Sequence, residues 1–477
     1  MNIYDDIASL DADRTWIVHG DREISGREFL GGIAQLSDWL SEQGVKPGDR
    51  VGLKKLSNLD LLTGYYACAR IGAIAVPIPF DDAERIEGAM AATNARLAID
   101  CVDHRPEKRR SEDAVASART GIHEALVIFT SGTTSRKLKG VRLAHDGICG
   151  TCAFMNRTME VDQSIRELVF APLDHAYGFG RCHSVLTAQG VLVLPKSLGR
   201  LSLVLDLLSE RQCNAMAATP AIFASLLRGV REDFQAAAAN LRWIQTGAMR
   251  FDAFFRETLL EALPDTRIFL HYGLSEAMRV TFFELNRNTD KIHTEGPAAD
   301  GVLLEIRDDS NQPLPQGQEG TIAIRGRNLC LGYVDDAVWQ QNLRDGWFIT
   351  SDRASLDEDG FLVFGGRTDD TINVNGILVH PDEIESKILK AWPNEHFSVI
   401  GLPDPQRVKD TIVVLCVEGG SEITLAALRA KMADSDKHLI PQKVATVKFL
   451  PMTRTGKINR VELRAMVNEC IPSERTP

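Results

Sequence analysis

The chain has no apolar run near the ~18 residues that a membrane-crossing helix requires. Its longest candidates are residues 72–80 and 191–195. Positive charge is also in short supply. Against 65 Asp and Glu stand 54 Lys and Arg, a formal net charge of −11, which argues against nucleic acid or a membrane surface as a general partner. The one basic run, residues 105–110, is followed by Glu112 and Asp113 and reads as a solvated linker. The opening Met-Asn-Ile-Tyr-Asp-Asp is acidic and lacks a basic-then-apolar leader, so a cytoplasmic location is expected. No cysteine framework is present either. The 9 cysteines are an odd number, scattered along the chain, and read as reduced, mostly buried thiols. Cys149 and Cys152 form one C-x-x-C with His145 a turn earlier. No second pair follows at zinc-finger spacing, and the surrounding residues read as helix.

What is present is globular: 44% hydrophobic and 25% charged residues over 477 positions. That length is too great for one ordinary core, so two or three units are expected. A helical period over 27–43 is closed by Gly44, with Pro47 beyond. Strands at 51–53 and 73–77 then flank a helix at 60–70. The alternation returns later, with helix 201–211, strand 215–218, a helix at 221–229 opened by Thr219 as N-cap and Pro220, strands 241–245 and 267–271, and a helical stretch at 251–263 between them. Strand–helix alternation predicts an α/β fold of doubly wound parallel sheets, whose ligands gather at the carboxyl ends of strands. After about residue 300 the texture becomes strand-rich, with strands at 302–307, 321–325, 347–350 and 361–364. Beyond Gly366 comes a compact α+β pattern of helix 381–389, strands 398–401 and 411–418, and helix 425–432. The expected division is a large domain, 1–367, with its strand-rich part at about 300–367, and a small one, 368–477.

Residues 129–140 read Phe-Thr-Ser-Gly-Thr-Thr-Ser-Arg-Lys-Leu-Lys-Gly, behind an apolar strand at 125–129. Small residues let backbone N–H groups approach phosphate oxygens, hydroxyls add donors, and a lysine neutralises charge. The spacing is not G-x-x-x-x-G-K-[ST], and alone the string also suits a solvated Ser/Thr turn. Four further segments stand out. Residues 270–277 read Leu-His-Tyr-Gly-Leu-Ser-Glu-Ala and end a predicted strand. Residues 346–352 read Gly-Trp-Phe-Ile-Thr-Ser-Asp, before a hairpin turn at 357–360. Residues 366–376 read Gly-Arg-Thr-Asp-Asp-Thr-Ile-Asn-Val-Asn-Gly, and residues 451–460 read Pro-Met-Thr-Arg-Thr-Gly-Lys-Ile-Asn-Arg.

In this order and spacing the segments resemble the AMP-forming adenylating superfamily of acyl-CoA synthetases, peptide-synthetase adenylation domains and luciferases. The resemblance runs from about residue 25 to about 465. It implies that a carboxylic acid and ATP form an acyl-adenylate and pyrophosphate, after which the acyl group passes to a thiol. It implies ATP and Mg²⁺ as cofactors and a small C-terminal domain that moves. By matching position, Thr130, Ser131, Gly132, Thr133, Thr134 and Lys139 would cradle the phosphates. Glu276 would hold Mg²⁺, and Tyr272 would stack on adenine beside Gly273 and Ser275. Asp352 would accept from both ribose hydroxyls, Arg367 would reach ribose or phosphate, and Lys457 would neutralise the α-phosphate. Asp369 would be the hinge and Gly376 would lie by the thiol tunnel. Two departures show. Ser135 and Leu138 replace the family's glycine and proline in a loop one residue longer, and Ser275 replaces a threonine.

Residues 172–178, Pro-Leu-Asp-His-Ala-Tyr-Gly, resemble the acyl-pocket segment of acyl- and aryl-CoA ligases, with His175 at the gate-like position. This favours an acid without an α-amino group. Gly247, Ala248 and residues 275–279 would line the rest. Arg279 would pair with a second carboxylate or polar group on the substrate, or else form a surface or structural ion pair within the protein. Coenzyme A and a carrier-protein phosphopantetheine arm present the same thiol, so either serves as acceptor. A catalytically inactive nucleotide-binding paralogue is the alternative of another class, with the altered phosphate loop as its support.

Overall fold

The computed structural model describes residues 2–54, 57–80, 82–100, 121, 123–130, 139–196, 200–374, 377–404, 409–417, 421–453 and 457–470. Helices begin and end where local chemistry sets them. Gly26–Glu42 starts with the Ser25 hydroxyl accepting from the Glu28 amide and buries Phe29, Leu30, Ile33, Leu36 and Leu40, one stripe at helical spacing. Asn58–Ile71 is capped in the same way by Ser57 and stops at Gly72, whose φ of +72° a side chain would oppose. At the helix Pro220–Gly229, Thr219 occupies the N-cap position as expected. Its side chain makes no capping bond, however, so proline alone sets that start.

Among the described residues the long helices before about residue 300 pack on two large sheets. The first has eight strands in the order Phe283–Glu284, Arg267–His271, Trp243–Gly247, Ala215–Ala218, Arg166–Phe170, Val191–Leu194, Thr15–His19, Arg22–Ser25. Its six central strands are parallel and each end strand is antiparallel. The second sheet has six strands, running Gly332–Tyr333, Lys139–Ala144, Glu124–Thr130, Ile74–Ile78, Arg50–Lys54, Leu97–Asp100. Ile74–Ile78 is buried at every position, as a strand covered on both faces must be.

A five-stranded antiparallel sheet follows, built on Val302–Arg307, Gly320–Gly326, Trp347–Leu356, Leu343–Arg344 and Leu362–Arg367. Two of its strands run further than expected. Trp347–Leu356 carries on through Ser351, Asp352 and Arg353, and Leu362–Arg367 through two glycines. From Ile372 the chain builds a hairpin, Ile372–Val374 with Ile377–Val379, and a sheet of Phe397–Asp404, Lys409–Val417 and Lys443–Val447. Its apolar residues form two clusters of their own, around Ile384 and Val414 and around Ile400 and Leu463. Leu389, by contrast, packs into the core of the eight-stranded sheet. Among the described residues no helix is long and apolar enough to cross a membrane.

Candidate active site

The expected phosphate loop is framed by a hairpin. Glu124–Thr130 and Lys139–Ala144 pair antiparallel with Thr130 opposite Lys139, so the two ends of the loop are held side by side. Ser131, Gly132, Thr133, Thr134, Ser135 and Leu138 lie outside the described residues, as does Gly376. Lys139 extends its ammonium over the Tyr333 ring, 5.7 Å from the centroid. The Tyr333 hydroxyl in turn donates to Glu276 Oε1 at 2.7 Å. Lys139 and Glu276, expected on phosphate and metal, are thus bridged by one aromatic residue that sequence reading missed. The Cys330 amide also donates to the Glu276 carbonyl at 2.8 Å, fixing the backbone beneath the carboxylate.

Tyr272 and Asp352 meet across two sheets. Tyr272 follows the strand Arg267–His271, and its hydroxyl donates to Asp352 Oδ2 at 2.6 Å. Burial, reinforced by the Asp352 charge, pushes the phenol well above its ordinary range, which keeps it a donor. Asp352 is 4% exposed. A carboxylate offers two acceptor oxygens, the kind of group that a pair of ribose hydroxyls needs. Arg367 lies opposite Asp352 in the antiparallel register. Its Nη2 donates to Ser351 Oγ at 2.9 Å, and its Nε stands 3.7 Å from Asp352 Oδ1.

Lys457 reaches this cluster from the C-terminal part of the chain. Its amide donates to Thr453 Oγ1 at 3.0 Å, and its carbonyl accepts from the Thr453 amide at 2.6 Å, which ties the base of the turn. The residue surface is exposed, but dense protein around the ammonium lowers its pKa. Arg367 adds to the lowering, while the Asp352 and Glu276 carboxylates oppose it. The ammonium therefore lies within electrostatic reach of all three. Arg460, a turn later, bonds Asp382 and Glu385 on the helix Pro381–Ala391 at 2.8 Å each and stands 3.5 Å from Asp370. It fixes the start of the last helix relative to Lys457, a role its motif position did not reveal.

On the acyl side, His175 is half-buried at the N-cap of Ala176–Thr187. That helix is pinned to the strand Arg166–Phe170 by the buried Arg181–Glu167 pair, with bonds of 2.9 and 2.6 Å. Gly247 has no room for a side chain, because a Cβ would stand 2.3 Å from His271 Nδ1. A Cβ on Gly273 would stand 2.8 Å from the Arg279 amide nitrogen. Ala248 and Arg279, at φ +67° and +47°, occupy the left-handed region without being glycine. Such strain concentrates at binding sites. Ser275 is half-buried between them in sequence. The expectation of a surface or structural ion pair for Arg279 is not met: the residue is 3% exposed, and no carboxylate lies within ion-pair distance among the described residues.

A family model described as AMP-binding enzyme matches residues 5–334. Feruloyl-CoA synthase of Amycolatopsis is 27% identical, covering 96% of both chains. Two solved structures share the fold. The anthranilate CoA ligase AuaEII with anthranoyl-AMP has a TM-score of 0.87 at 23% identity, over 99% of this chain and 98% of its own. ATP-bound MatB from Rhodopseudomonas palustris has a TM-score of 0.86 at 23% identity, over 98% of this chain and 100% of its own. The chain belongs to the AMP-binding enzyme family and is an adenylate-forming acid–thiol ligase.

Proposed function

We propose that the residues gathered around Asp352 activate a carboxylic acid with ATP and then pass it to coenzyme A. In the first step a carboxylate oxygen attacks the α-phosphorus, the bond to the bridging oxygen breaks, and pyrophosphate leaves with the electron pair. In the second the CoA sulfur attacks the acyl carbon, its proton passes to solvent, and AMP leaves. A carboxylate is a poor electrophile, and adenylation turns its oxygen into part of a good leaving group. The observation that carries this reading is the meeting of Tyr272, Asp352 and Arg367 across two sheets, beside Lys139 and Glu276 bridged by Tyr333. Two anions are made to react here, so a cation positioned beside them is the feature that would lower the barrier.

Asp352 and Tyr272 would hold the ribose and adenine. Lys139 and Thr130 would flank the phosphates, and Arg367 would span ribose and phosphate. His175, Gly247, Ala248 and Ser275 would border the acyl group. Mg²⁺ binds one or two carboxylates together with phosphate oxygens, and supplies charge neutralisation there. Glu276 fits that need, because Tyr333 occupies Oε1 and leaves Oε2 to a cation. Residues 368–477 would act as the mobile domain carrying Lys457. The described cysteines are buried free thiols, which supports a reducing, cytoplasmic setting.

The test is pyrophosphate exchange into ATP over a panel of aliphatic, aromatic and amino acids, followed by thioester assays with CoA and with holo-carrier proteins. Acid-dependent exchange, AMP as product and transfer to CoA are expected. Formation of ADP and phosphate would remove the adenylation reading, and transfer to carrier proteins alone would replace CoA as acceptor.

A further inference from the structure

Arg279 is a buried cation with no carboxylate at ion-pair distance among the described residues. Among the described residues its Nη1 and Nη2 donate to the carbonyls of Ala176 and Tyr177 alone, at 3.5 and 3.3 Å, and its Nε has no hydrogen-bond partner. The guanidinium faces the Tyr177 ring at 5.1 Å. Arg181, one turn further along the same helix, shows the usual solution, since both oxygens of Glu167 accept from it. Glu167 is engaged there and reaches Arg279 only as a weak, distant charge. Burial is the first cause, with the Arg181 charge also contributing, of a fall in the Arg279 pKa to about 10. The groups that oppose this fall are Tyr177, Cys152 and Glu167, and of these only Glu167 is an anion at neutral pH.

The placement of this cation is specific. Its backbone closes the loop that begins at Tyr272, pressed against Gly273. Its side chain runs to the residue following His175. A cavity of about 10 Å³ lies beside it, bordered by Thr151, Cys152, Phe179, Gly180 and Met278, with room for one water-sized group. At Gly180 even a Cβ would stand 3.7 Å from both Nη atoms, so no side chain of that residue covers the guanidinium. A planar fork with an unpaired Nε and two long Nη bonds, next to a small space, has the shape and charge that a carboxylate matches.

The geometry points to Arg279 as the anchor for a second carboxylate, making the preferred substrate a short dicarboxylic acid activated at its other end. This inference rests on the adenylation reading and names the substrate class of that same site. A monocarboxylic acid would leave the guanidinium buried and unpaired. Sites built around such a partner reject analogues lacking it far more strongly than sites that merely lose a methylene.

The test compares matched acids in pyrophosphate exchange: butyrate with succinate, pentanoate with glutarate, benzoate with each phthalate isomer. A preference of about 100-fold or more in kcat/KM for at least one diacid is expected in the wild-type enzyme. Arg279→Met should abolish that preference, read as the ratio of diacid to monoacid kcat/KM within the variant, and Arg279→Lys should keep part of it. Thermal unfolding of both variants checks that they fold. Exchange with monoacids but not diacids would overturn the inference and leave adenylation standing. A folded Arg279→Met that lost both acid classes equally would also overturn it, since that is the signature of a structural arginine. Exchange with no acid at all would remove the adenylation reading and this inference with it. The wild-type comparison decides the matter even where a variant does not fold.

Discussion

Lys457 has to be charged to meet the α-phosphate, and it stands where charge is hard to keep. Packing around the ammonium lowers its pKa from the ordinary 10.5, with Arg367 contributing and Asp352 and Glu276 opposing. Because lysine is cationic only below its pKa, a lowered value means that the charge is lost earlier as pH rises. The kcat/KM for ATP reports the free enzyme, so its alkaline limb in pyrophosphate exchange should set in below pH 10.5. Lys457→Arg should remove that limb, since arginine does not titrate there. Lys457→Ala should slow adenylation by roughly 100-fold or more and spare thioester formation from pre-made adenylate. An unchanged pH profile in the arginine variant would assign the limb to another group. Tyr333 acts more indirectly, through its bond to Glu276. Tyr333→Phe keeps the ring under Lys139 and removes only the hydroxyl. The Mg²⁺ concentration for half-maximal exchange should rise about 10-fold, the usual scale for a group that orients a ligand. No rise would mean that Glu276 is not the metal's carboxylate.

The elements that present these side chains depend on a few buried polar contacts. Arg181 and Glu167 are both fully buried, and together they fix the helix that begins beside His175 to its strand. Removing one partner leaves the other charge stranded, so Arg181→Met should destabilise the protein by about 3–5 kcal/mol in urea unfolding. The double variant Arg181→Met/Glu167→Leu should recover much of that loss; failure to do so would mean that packing, not charge, dominates. Sequence reading recovered the apolar strands well, because buried runs such as Arg267–His271 and Ala215–Ala218 carry their own signal. It cut Trp347–Leu356 short at the point where polar residues take over, although burial still alternates through Ser351, Asp352 and Arg353. The motifs brought Asp352, Arg367, Glu276 and Lys457 to attention. The contacts that orient them were not legible, because Tyr333 and Glu276 are 57 residues apart and Tyr272 and Asp352 are 80 apart. Nothing local in the chain encodes such pairings. Arg279 shows the same limit: the sequence singled it out, and only the fold reveals that no carboxylate among the described residues stands within ion-pair distance of it.

At the scale of the whole molecule, the present arrangement is the one we propose to serve adenylation. The helix Pro381–Ala391 is docked on the large domain through Arg250, whose Nη2 donates to Ser386 at 2.7 Å and whose Nη1 lies 3.7 Å from Asp382. Ser386 also donates to Asp252 at 2.5 Å, and Arg228 donates to the Pro393 carbonyl at 2.9 Å. Beside these polar contacts, Leu389 packs into the core of the eight-stranded sheet and Phe397 against it. If Lys457 serves adenylation and Gly376 the thiol, as the resemblance implies, thioester formation would call for residues 368–477 to turn. Asp369 lies in the single 3-10 turn Thr368–Asp370 that follows the last strand of the large domain. A hinge is a place where a few residues absorb a large φ/ψ change. Proline holds φ near −65°, within the range of a 3-10 turn, so Asp369→Pro should hold the present arrangement while denying the alternative. The variant should therefore keep pyrophosphate exchange near the wild-type rate and lose most transfer to CoA, measured from pre-made adenylate to exclude any effect of the first step. Transfer at the wild-type rate would place the pivot elsewhere or remove domain alternation from the mechanism. Equal loss of both half-reactions would instead assign Asp369 to the stability of the junction.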